Sequence, residues 1–141
     1  PRMPKSKERS IADYFCADGD LIGIQVVTIG SGFSGRSRDY FQQDKYSYGY
    51  YLNALGNMLV EELAEKVTVE IRRGLGLEPN TGRRYSFGYP GLPGPEEQKK
   101  IFEFMVIDDR LGIHLTSGYQ MVPEHSTLGI FVHHPQAEFL I

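Results

Sequence analysis

The stretch "YLNALGNMLVEELAEKVTVEIRR", residues 51–73, decides the fold. Leu52, Leu55, Leu59, Leu63, Val67 and Ile71 recur at spacings of three and four, so the segment from Tyr48 to Arg73 reads as one long amphipathic helix with a single apolar stripe. Glu62 and Lys66 form a favourable i,i+4 pair on it, and Gly74 with Gly76 supplies a stop. Glu61 and Glu65 fall away from the leucine stripe. Either they are solvated, or a second layer covers that face and Glu61 points into a pocket.

Working outward, "LIGIQVVTIG" (21–30) is a β-branched apolar run closed by glycine and reads as a mostly buried strand. "SGFSGRSRDYFQQDKYS", which follows, suits a short helix. Downstream, residues 74–94 are rich in glycine and proline and read as a loop, and Pro95 then opens a helix. In that helix Glu96 and Glu97 complement the dipole, and Ile101, Phe102 and Met105 face inward. Two extended segments, 112–122 and 126–133, joined by "PEHS", read as a C-terminal β-hairpin. The fold class is therefore α+β: a single domain with a small, mostly antiparallel sheet, one long central helix and a terminal hairpin.

Composition narrows the function. The 141 residues suit one domain, and 40% hydrophobic with 23% charged residues is ordinary for a globular protein. A net charge of −3 with interspersed signs gives no basic field for nucleic acid, and no apolar run approaches the ~18 residues of a membrane span. Cys16 is the only cysteine, which excludes an internal disulfide and fits a reducing, cytoplasmic setting. The opening "PRMPKSKERSIADYF" has neither initiator Met nor apolar signal core, and with the ending "AEFLI" it reads as a cut from a longer chain.

The residues that carry chemistry lie in "RYSFGYPGLPGPEEQKKIFEF", residues 84–104. Arg84 offers a planar fork for a carboxylate. Gly88 permits positive φ and close approach of a ligand to the main chain. Tyr89, extended because it precedes Pro90, presents a ring that could flank a flat or cationic group. Taken singly, each has a plainer reading: a surface arginine, a turn glycine, a core tyrosine. No metal spacing emerges from His114, His125, His133 and His134, since the adjacent pair would face opposite ways on a strand. There is no G-x-S-x-G elbow, and "GSGFSG" (30–35) fails both the P-loop and dinucleotide patterns.

Together, "RYSFGYP", "EEQKKIFEF" and "YQMVPEHSTLGIFVHHPQAEF", with "SIADYF", "LIGIQVVTIG" and the long helix upstream, resemble the activation domain of cobalamin-dependent methionine synthase. That family's hallmark is Arg-x-x-x-Gly-Tyr, and the resemblance covers residues 1–141 nearly throughout, in the right order. It implies a module that binds S-adenosylmethionine and docks over a cobalamin-binding module when the cofactor has been oxidised. An electron from flavodoxin or a similar reductase, with the methyl group of the ligand, then regenerates methylcobalamin.

By the same resemblance Arg84 would hold the ligand carboxylate, and Tyr85, Gly88 and Tyr89 would form walls and main-chain contacts. Glu61, Phe139 and Leu140 would complete the site. The family has a tyrosine where this chain has Phe139, which removes a hydroxyl. No Asp-x-His-x-x-Gly is present, so cobalamin would sit on another module. The resemblance implies part of a methyltransferase without a complete active site of its own. The alternative is a docking or regulatory domain for a corrinoid protein that no longer binds S-adenosylmethionine tightly.

Overall fold

The computed structural model describes residues 10–139. A 3₁₀ turn (Ile11–Tyr14) leads to β1 (Gly23–Thr28), α1 (Gly32–Gln42) and α2 (Tyr46–Gly74). There follow β2 (Arg83–Ser86), a 3₁₀ turn (Pro95–Glu97) running into α3 (Gln98–Met105), α4 (Ile107–Leu111), β3 (His114–Leu115), β4 (Met121–Val122) and β5 (Ser126–Val132). The main sheet has the order β1-β5-β2, with β5 antiparallel to both neighbours. β3 and β4 form a separate small antiparallel pair. No helix among the described residues is long and apolar enough to cross a membrane.

The expected elements are present, with informative shifts. The terminal hairpin exists, but it is β3 with β4, both inside 112–122. The segment expected as its second arm instead inserts between β1 and β2, because Leu128–Val132 are buried on both faces, as only a central strand can be. Arg84 and Tyr85, expected on a loop, lie in β2. That strand owes its form to pairing with β5 rather than to any apolar alternation of its own. Pro95 opens a 3₁₀ turn, and the α-helix proper begins at Gln98.

The long helix is where expected, but its buried row is not the leucine stripe. Gly56, Val60, Ala64, Thr68 and Arg72, each four residues from the next, face the sheet, while Leu55 and Leu59 are 46% and 40% exposed. Small side chains let α2 approach closely. A Cβ on Gly56 would stand 2.5–2.7 Å from the ring of His125, which is fully buried and held through Nε2 by the Oδ1 of Asn53 at 3.0 Å. Val27 packs on Val60 and Ala64 from the sheet side.

The opposite face of the sheet carries the rest of the core. Leu128 and Val26 meet Phe102, Ile107 and Ile113 from the α3–α4 layer. Tyr85, Ile130 and Val132 meet Ile11 and Ala137. The Tyr85 hydroxyl donates to the Glu138 carbonyl at 2.6 Å, and burial, with Tyr14 nearby, pushes its pKa up to about 12.

Two outcomes follow for stability. Gly56→Ala lowers the melting temperature despite the ~1 kcal/mol of helix propensity gained, because overpacking against a fixed ring costs ~1–3 kcal/mol. Gly74→Ala, where a Cβ meets nothing within 4 Å, is neutral or stabilising in the same thermal scan. The second outcome concerns alkali. The native Tyr85 keeps its proton from pH 10, where the unfolded chain loses it, to about 12, so stability is level below that window and falls as pH rises through it. Urea titrations of Tyr85→Phe between these limits should give a shallower fall; an unchanged slope would refute the assignment.

Candidate functional site

β2 alternates its side chains across the sheet, so Arg84 and Ser86 face α2 while Tyr85 faces the other core. Arg84 starts on an edge strand and reaches across the central strand toward β1. It does so over Gly129, where a Cβ would lie 2.6 Å from Arg84 Nε and 2.9 Å from its Cγ. Only a glycine leaves that path open.

The guanidinium is closely held, with its side chain 14% exposed. Nη2 donates to Thr127 Oγ1 at 2.6 Å, and Nη1 lies 3.5 Å from Glu61 Oε2. Nε meets the amide of Gln25. Arg84 Nε only donates and the Ala64 carbonyl only accepts, so the Gln25 oxygen takes Nε at 2.6 Å and its nitrogen donates to Ala64 at 3.2 Å. Glu61, by contrast, is 63% exposed.

The turn after β2 explains the Arg-x-x-x-Gly-Tyr spacing. Tyr89 N–H donates to the Ser86 carbonyl at 3.1 Å, closing a β-turn whose third residue, Gly88, has φ +86°. That region is open to glycine and strained for other residues. The turn sets Tyr89 on the rim, its ring 6.1 Å from that of Phe139. Phe139 also meets Tyr85 edge-on at 5.8 Å. Tyr85 thus lies beneath the site. It anchors the segment carrying Phe139 through its bond to Glu138.

Here lies a cavity of about 450 Å³ lined by Glu61, Glu65, Arg72, Arg84, Tyr89 and Phe139, together with Arg83 and Ser86. Its size lies in the range of small-molecule sites. Arg72 is nearly buried: Nε donates to the Thr81 carbonyl at 2.9 Å, Nη1 pairs with Glu65 at 3.1 Å, and the guanidinium stands 5.6 Å from the centre of the Phe131 ring.

Of the residues singled out in the sequence, Arg84, Tyr89, Glu61 and Phe139 line one cavity, Gly88 shapes its rim and Tyr85 backs it. Leu140 lies outside the described residues. Sequence reasoning missed Gln25, Thr127 and Arg72. Gln25 had a readable signal, as the one strongly polar residue inside "IGIQVVTI"; Arg72 had one as the last member of the four-residue row on α2. The histidines scatter, and among the described residues no group of three or more His, Cys, Asp or Glu could hold a metal.

The chain is 25% identical to the methionine synthases of Mycobacterium tuberculosis (strain ATCC 25618 / H37Rv) and Mycobacterium leprae (strain TN), over 99% of its own length and 14% of theirs. It superposes on a solved MetH reactivation domain bound to AdoHcy with a TM-score of 0.81 and 24% identity, over 92% of this chain and 45% of that one. Residues 2–141 match the family described as vitamin B12 dependent methionine synthase, activation domain, and the chain belongs to that family.

Proposed function

We propose that this domain binds S-adenosylmethionine in the Arg84 cavity and presents it to a cobalamin-binding module for reductive reactivation of a methionine synthase. The observation that carries the reading is Arg84. Its guanidinium is fixed in orientation by Gln25 and Thr127, its Nη1 turns toward the exposed Glu61, and two aromatic rings stand beside it. The residues fit the ligand. A guanidinium suits an α-carboxylate, a flexible carboxylate suits an α-ammonium, and aromatic faces suit a sulfonium or a purine. The structure neighbour, bound to AdoHcy, supports the same ligand class.

When bound, S-adenosylmethionine would supply an electrophilic methyl group for a cobalamin held on another module, its sulfur keeping the bond pair so that S-adenosylhomocysteine remains. The reducing electron comes from flavodoxin or a similar reductase in a cytoplasmic setting. This chain's part is positioning. Arg84 fixes one end of the ligand, Tyr89 and Phe139 close over it, and no proton has to move. The cavity accordingly needs no general acid or base.

Calorimetric titration of S-adenosylmethionine tests the reading. Saturable binding to the native domain, weakened in Arg84→Ala by about 2 kcal/mol or more for a lost charged contact, is expected. Arg84→Lys should fall between, keeping charge but losing the fork. No binding to the native domain would favour a docking role without the ligand. In the same assay Phe139→Tyr, which adds a hydroxyl at the rim, should tighten binding by ~0.5–1.5 kcal/mol.

A further inference from the structure

A buried, hydrogen-bonded glutamine in the middle of an apolar strand calls for a reason. Gln25 is 3% exposed, between Ile24 and Val26 on β1, directly opposite Gly129 of β5. An aliphatic residue there would extend the Val27–Val60–Ala64 cluster without burying an amide of its own. Instead the amide joins three elements. Its nitrogen donates to the Ala64 carbonyl on α2, its oxygen lies 3.1 Å from the Thr68 hydroxyl, and the same oxygen accepts from Arg84 Nε at 2.6 Å.

The consequence is directional. A guanidinium has five N–H bonds in one plane, so two fixed nitrogens fix the third. With Nε on Gln25 and Nη2 on Thr127, rotation about the end of the side chain is blocked. Nη1 is then the nitrogen turned toward Glu61 and the cavity. Without Gln25, Nε would be a buried donor lacking its acceptor, and the guanidinium would turn to recover one. Thr127 alone leaves it free to pivot.

Resting on the ligand reading above, we infer that Gln25 is a positioning residue of this site: it reaches toward the central strand on the α2 face of the sheet, orients Arg84, and thereby aims the arginine at the carboxylate of an amino-acid-derived ligand without touching that ligand itself. Gly129 is the complementary feature, since its missing side chain is what lets the two groups meet across β5.

The test pairs a ligand-free readout with a binding readout. In the domain carrying ¹⁵N-arginine, the Arg84 Nε–H signal, assigned by its loss in Arg84→Lys, should be resolved and slow to exchange. Gln25→Leu should broaden it into rapid exchange and raise the S-adenosylmethionine dissociation constant about tenfold or more. Gln25→Glu, which still offers an acceptor, should keep the signal protected. A fast-exchanging Nε–H in the native domain overturns the inference even if Gln25→Leu fails to fold. So does a folded Gln25→Leu protein with native affinity, which would make Gln25 merely structural. If the native domain takes up neither S-adenosylmethionine nor S-adenosylhomocysteine while Nε–H stays protected, the ligand reading falls and the orientation of Arg84 by Gln25 stands.

Discussion

β5 is paired on both edges and covered on both faces, and the main sheet is organised around that one strand. Its odd-numbered positions, Thr127, Gly129 and Phe131, face α2 and the cavity; on the other face Leu128 meets the α3–α4 layer, and Ile130 and Val132 meet Tyr85, Ile11 and Ala137. A slip of one residue would exchange these sets, driving Leu128 and Ile130 against Arg84 and leaving Thr127 and Gly129 in the apolar core. The burial that fixes the register of the strand therefore also fixes the site. A fold in which the same strand had only one buried face would hold Arg84 less firmly.

The sequence revealed the long helix well and its packing poorly, for one physical reason. Hydropathy rewards leucine, so the eye follows Leu52, Leu55, Leu59 and Leu63. Close packing on a sheet rewards small size, so the helix turns Gly56, Val60, Ala64 and Thr68 inward instead. Leu55 and Leu59 are left at the margin. The pairing of β5 was misjudged because neighbours in sequence are the usual partners in a hairpin. The unbroken apolar run "LGIFV" was the better evidence, since a strand covered on one face only would alternate.

The site was legible in the part that is local. Arg84, Gly88 and Tyr89 belong to one strand and one turn, so a short motif records them. Tyr85 falls on the far side of the sheet once β2 is recognised as a strand, because alternate residues diverge. Gln25 and Thr127 come from strands 59 and 43 residues away from Arg84 by number, and no local pattern could have joined them to it. What the sequence did offer was an anomaly, a glutamine where a valine or isoleucine would be cheaper. Such a residue marks a buried partner elsewhere in the chain.

The two charged groups at the mouth of the cavity are unequal, and the inequality suits a binding module. Arg84 is fixed and 14% exposed; Glu61, 3.5 Å away, is 63% exposed on the helix surface. An ion pair of that length with one solvated partner is weak, so opening it costs little. On the proposed reading, a zwitterionic ligand replaces one poor contact with two better ones, carboxylate on arginine and ammonium on glutamate. Position is then set by the rigid partner and tolerance by the mobile one. On the same reading, methyl transfer from a sulfonium would need no proton moved and the domain would contribute through orientation, which the Gln25–Arg84–Thr127 arrangement supplies.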